Sequence, residues 1–118
     1  MALEQIDPVS ENARMATCID NCFEAAQAAE WCATECIRMG DEEMSRCIEL
    51  CRDVSDLTTL HARMMARDSD YSADIAAVCA DLCEECAEVC EQFDHEHCEV
   101  CAETLQECVD SCRDMASG

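Results

Sequence analysis

The chain has no lysine; its seven basic residues are all arginine. It has 2 glycines and 1 proline in 118 residues, and 3% aromatic residues. So little punctuation leaves no room for a meander of strands and turns. The scarcity of valine, threonine and aromatics argues against sheet and for helix. No apolar run is long enough to span a bilayer. The opening Met1 to Asp7 has neither the basic start nor the apolar stretch of a secretory signal, which predicts a cytosolic protein. Positive charge is short too: 28 acidic residues against 7 basic ones give a formal charge of -21. Such a surface repels nucleic acid and anionic membranes. Acid excess without lysine also suits a high-salt cytoplasm, where screening shortens self-repulsion.

Leucine, isoleucine, valine and phenylalanine are scarce as well, 19 of 118. At that level, with this much charge, a chain commonly fails to fold. Something else must fill the core, and only the 14 cysteines are numerous enough. A thiol packs as a small hydrophobe, and as thiolate it binds metal.

The pattern predicts an all-α protein, an antiparallel up-down-up-down four-helix bundle with a Cys-lined core, occupying residues 1–118 as one domain. Helices are expected over about 10–39, 41–67, 70–93 and 94–115. Ser10, Asp41 and Asp94 are the expected N-caps, and Gly40 the stop of the first helix. Short joints make neighbouring helices antiparallel.

Steps of three and four residues trace one stripe per helix. The first reads Met15, Cys18, Cys22, Ala25, Ala29, Cys32, Cys36, Met39. The second reads Met44, Cys47, Cys51, Val54, Thr58, His61, Met65. The third reads Ile75, Cys79, Cys83, Cys86, Cys90, Phe93, and the fourth Asp94, Cys98, Cys101, Leu105, Cys108, Cys112, Met115. Every cysteine falls on a stripe, and each stripe is the narrow inward seam of a bundle helix.

Most of the cysteines form C-x3-C pairs. Residues four apart hold their Cβ atoms about 5–6 Å apart, whereas a disulfide needs about 3.5–4.5 Å. Such pairs resist oxidation yet can share one metal ion at a metal–sulfur bond of about 2.3 Å. Thiolates select Cu(I), zinc or an iron–sulfur cluster. A structural zinc site needs only four ligands. Fourteen sulfurs exceed that, and Cu(I) tolerates two or three sulfurs shared between ions. A ferredoxin-type electron carrier would put its cysteines on a loop with a following proline; Cys79, Cys83, Cys86 and Cys90 lie on a helix without one. A zinc or general soft-metal buffer of metallothionein type remains the alternative. Plain packing would carry a large oxidative liability, and a secreted disulfide scaffold conflicts with the spacing. No Ser/His/Asp arrangement or nucleotide loop points to an enzyme.

The run Asp94-His95-Glu96-His97-Cys98-Glu99-Val100-Cys101, with Cys108, Cys112, Arg113, Met115 and Ala116 after it, resembles the C-terminal hairpin of the cytosolic bacterial copper storage proteins. Cys79 to Cys90 resembles their third helix. The likeness is strongest over 75–116; over the first two helices it rests on the C-x3-C pairs and Cys47-Ile48. It implies a bundle loaded with many Cu(I) ions, often a homotetramer, that stores or sequesters copper without catalysis. It also implies that His95 and His97 sit at the mouth where copper enters and leaves, His97 foremost because it lies four residues before Cys101. Met39 and Met44 would gather at that end as ligands or plain caps. His61, on the second seam, would be a ligand at the opposite end or a packed core histidine. Family members usually carry more seam cysteines. Ala25, Ala29, Val54, Thr58 and Leu105 stand where sulfur could be, so a lower capacity or a gap in the metal column is expected. The donor expected is a copper carrier or glutathione. Trp31 and Tyr71 suggest no site.

Overall fold

The computed structural model describes residues 13–117. Within them run four α-helices: α1 Ala13–Met39, α2 Ser45–Ala66, α3 Ser72–Cys90 and α4 Glu96–Ala116. The expected cap at Ser10 lies outside the described residues. Helix α1 packs on α2 and α4, and α3 packs on the same two. The result is the expected square of antiparallel neighbours.

The helix ends follow local chemistry. Gly40 takes φ 68 and stops α1. The Asp41 carboxylate accepts the Glu43 N–H at 2.9 Å. That cap opens a single 3-10 turn, Glu42–Met44, rather than the α-helix expected from Asp41 onward. Helix α2 ends one residue before the expected Arg67, because Asp68 enters the left-handed region at φ 54. There the Ser69 N–H donates to the Met64 carbonyl and the Asp68 N–H to the Met65 carbonyl, both at 3.0 Å, a Schellman closure.

The third and fourth helices are shorter than the sequence suggests. Helix α3 starts at Ser72, not Asp70, and stops at Cys90, not Phe93. Helix α4 starts at Glu96, and its cap position is His95, not Asp94. His95 is extended (φ -119, ψ 143) and its side chain makes no capping bond. Its carbonyl takes up the Cys98 and Glu99 N–H groups, each at 3.0 Å.

Inside the square lie the sulfurs. All 14 cysteines are free and fully buried. Ala25, Ala29, Val54, Thr58, Met44, Met65 and Leu105 lie among them, each also fully buried. Met39 does not join them: it is 45% exposed at the end of α1. Of the residues flanking the seams, Val109 is buried, Leu82 and Val89 pack partly against the core, and Val78 and Val100 are exposed.

Four arginines tie the outside together, one per groove. Arg52 reaches Glu30 between α1 and α2 at 4.0 Å. Arg46 reaches Glu85 between α2 and α3 at 2.7 Å. Arg113 reaches Asp81 and Glu84 between α4 and α3, and Arg14 reaches Asp114 between α1 and α4. All are solvent-exposed and screened, so each contributes little to stability. Their chief effect is to place the few positive charges where acidic faces would repel.

Candidate metal centre

The antiparallel arrangement sets the C-terminal half of α1 beside the starts of α2 and α4 and the end of α3. Two sets of four ligand atoms form there, each with its atoms within 4.8 Å of one another: Cys32, Cys36, Cys47, Cys98, and Cys32, Cys51, Cys90, Cys101. Cys86 joins them through Cys51, sulfur to sulfur at 3.7 Å. Cys47 and Cys90 approach to 3.5 Å across α2 and α3. The other half of the bundle repeats the arrangement with Cys22, Cys79, Cys108, Cys112, and with Cys18, Cys22, His61, Cys112. Cys83 joins this half, sharing hydrogen bonds with Cys108 and Cys79.

Sulfurs four residues apart stand 3.7 to 4.0 Å from each other at Cys32/Cys36, Cys47/Cys51 and Cys108/Cys112. One ion at about 2.3 Å from each sulfur fits such a gap with little movement. Because Cys32 belongs to two sets, and so do Cys22 and Cys112, the sulfurs can be shared between neighbouring ions. A row of isolated tetrahedral sites would need separate ligands for each.

The electrostatics are those of thiols crowded away from water. Its hydrogen bond with Cys112, together with burial, pushes the Cys18 thiol up to about 11. Cys36 and Cys98 are also raised, chiefly by burial. A sulfur that accepts several S–H donors behaves in the opposite way. Hydrogen bonds from Cys101, Cys47 and Cys51 hold Cys32 down at about 3. In the other half the hydrogen bond from Cys108, with help from Cys22 and Cys83, does the same for Cys79, also about 3. Cys47 and Cys90, beside Cys32, are lowered as well, and so are Cys108 and Cys112, beside Cys79, both to about 5, so each half mixes lowered thiols with raised ones.

Of the three histidines only His61 lies on a seam; His95 is at the cap position of α4 and His97 in its first turn. His61 is fully buried, with Nδ1 at 3.4 Å from the Cys22 sulfur and 3.7 Å from that of Cys112. Its Nε2 is buried without a partner. Burial alone would lower its pKa, but the Cys79 sulfur, as hydrogen-bond partner and charge, raises it. At the other end His95 and His97 stack at 5.5 Å with planes 4° apart. The His97 Nε2 is buried and unpartnered. The edge-on contact of Trp31 with His97, at 6.1 Å, was not visible in the sequence. Trp31 lies outside the α1 stripe, and only the α1/α4 pairing brings it to the mouth. Met44 lies buried at this end, while Met39 faces partly outward.

The model of the copper storage protein family matches residues 11–117. The chain belongs to that family. Three solved structures of copper storage proteins resemble it. The apo form of copper storage protein 3 from Bacillus subtilis is 38% identical, with a TM-score of 0.80 over 86% of this chain and 97% of that one. Cu(I)-bound BsCsp3 is 36% identical, with a TM-score of 0.83 over 87% and 98%. The copper storage protein Ccsp from Streptomyces lividans, loaded with 10 copper equivalents, is 29% identical, with a TM-score of 0.83 over 100% and 92%. As a copper storage protein the chain thus shares its bundle with relatives whose structures hold copper. No helix among the described residues is long and apolar enough to cross a membrane.

Proposed function

We propose that this chain is a non-catalytic cytosolic store for Cu(I), holding many ions on thiolates inside one four-helix bundle. The observation that carries this is the complete burial of 14 free thiols, 12 of them in two pairs of overlapping ligand sets. The ligands are the 14 cysteines, with His61 closing one set through Nδ1.

Copper arrives at His95 and His97 as a complex with glutathione or a carrier. The unpartnered His97 nitrogen offers a first ligand. Thiolates then take the ion from imidazole, because a soft sulfur binds Cu(I) more tightly. Each thiol gives up its proton on binding. The acid surface disfavours nucleic acid.

Titration of the reduced protein with Cu(I) against a competing chelator should end at many ions per chain. An endpoint of one or two would overturn storage. Metal analysis of protein from its own cells should find copper; zinc in its place would establish a general soft-metal buffer.

The mouth has its own test. His97→Ala should slow both loading and chelator-driven unloading about tenfold, with the capacity unchanged. Stopped-flow uptake compared with the titration endpoint reads the two apart. Equal rates would remove His97 from the path, and a lower capacity would make it a storage ligand instead.

A further inference from the structure

The seams do not carry sulfur evenly. On α1, ten residues separate Cys22 from Cys32, an axial rise of about 15 Å. On α2 the same interval separates Cys51 from His61, and on α4 seven residues, about 10 Å, separate Cys101 from Cys108. Ala25, Ala29, Val54, Thr58 and Leu105 fill these intervals, all fully buried. The one hydroxyl among them is engaged: Thr58 donates to the Val54 carbonyl of its own helix at 2.7 Å. The intervals face one another at mid-bundle and form a belt without a soft ligand.

No four-ligand set among the described residues crosses this belt. Every sulfur–sulfur contact within 4.0 Å stays on its own side. Helix α3 alone is different. Its Cys83 and Cys86 are three residues apart, a rise of about 4.5 Å. Cys83 belongs to the far half, through Cys79 and Cys108, and Cys86 to the half behind the mouth, through Cys51.

We propose that the store is two compartments in series, and that Cys83 and Cys86 are the gate through which copper passes between them. This rests on the Cu(I)-storage reading above. An ion crossing anywhere else must leave every sulfur for an apolar layer, which a bare cation resists. At α3 it never has to. The Cys83 thiolate binds before the Cys86 bond breaks, and the proton leaving Cys83 returns to the Cys86 sulfur, so the exchange is balanced and needs no oxidant or reductant. Eight cysteines lie on the mouth side of the belt and six with His61 beyond it.

Stopped-flow loading with a Cu(I)–glutathione complex tests the gate. Sulfur-to-copper ultraviolet absorbance reports all ions, and Trp31 fluorescence reports the mouth-side compartment. The natural chain should show a fast phase that changes both signals, then a slower phase in absorbance alone. In Cys83→Ala/Cys86→Ala the slow phase should lengthen at least tenfold. Leu105→Cys in the otherwise natural chain puts a sulfur into the belt and should quicken the slow phase. Slow phases of equal rate in the natural chain, the double variant and Leu105→Cys would overturn the gate while leaving storage intact. Uptake of only one or two ions by the natural chain would instead overturn storage, and the gate with it.

Discussion

Saturating the reduced protein with Cu(I) should raise its thermal midpoint by tens of degrees. The metal-free core is weak for its size. Thiols and alanines occupy most of its interior, and among the described residues only a few large aliphatic side chains are fully buried: Leu105, Val54, Met44 and Met65. Each ion bound only to the folded state adds about 4 kcal/mol when free copper is a thousandfold above its dissociation constant. For a domain of this length each kcal/mol is worth about 4 °C or more, so a few occupied sets suffice. The gain does not come from charge neutralisation. A Cu(I) ion that replaces a thiol proton leaves the net charge where it was, so the formal -21 of the surface persists in the loaded protein. High salt should therefore stabilise the apo form by screening and leave most of the copper increment in place. Melts followed by helical circular dichroism, at fixed protein concentration and two ionic strengths, check both points. A shift of only a few degrees would mean that copper binds outside the folded core.

The same core was largely legible in the sequence, because a helix of fixed period turns spacing into direction. Fourteen cysteines on four stripes can all face inward only if the stripes face one another, and all are buried. The family resemblance gave the same bundle. The ends of helices were less legible. Asp94 has the chemistry of an N-cap, yet the chain stays extended through His95 and the helix begins at Glu96. Capping preference is worth about 1 kcal/mol, and the five-residue joint after Cys90 outweighs it. Met39 follows the α1 period to its last turn, where the bundle no longer covers it. The division into two compartments was hidden for another reason. Ala25, Ala29, Val54, Thr58 and Leu105 are each readable as missing sulfurs, and their alignment at one height depends on the antiparallel register, which no single helix encodes. Cross-chain neighbours such as Trp31 and His97 are likewise set by register.

Copper affinity should fall as the pH falls, and the slope should reveal how sulfur is shared. If each thiolate bridges two ions, about one proton leaves per ion bound, and the apparent affinity changes about tenfold per pH unit. If each ion sits in an isolated pair, two protons leave and the change is about a hundredfold. Because Cys22, Cys32 and Cys112 each belong to two sets, the smaller slope is expected. The first ions into each compartment should release fewest protons, since they meet the lowered thiols, Cys32, Cys47 and Cys90 on one side and Cys79, Cys108 and Cys112 on the other. Later ions must displace protons from thiols such as Cys18, which keeps its proton up to about 11. The apo protein responds in the opposite direction at alkaline pH. Between 9, where an unfolded cysteine ionises, and about 11, where folded Cys18 does, the unfolded chain holds fewer protons than the folded one. Stability of the apo form is thus lost as pH rises through that window. Copper-bound sulfur has no proton to lose, so the difference in midpoint between loaded and apo protein should widen from pH 8 to pH 10. Chelator competition at pH 6, 7 and 8, with proton release read by an indicator dye, gives the slope, and paired melts give the difference. A pH-independent affinity would show that copper is not held by thiolates formed on binding, and a constant difference in midpoint would show that the buried thiols do not resist ionisation.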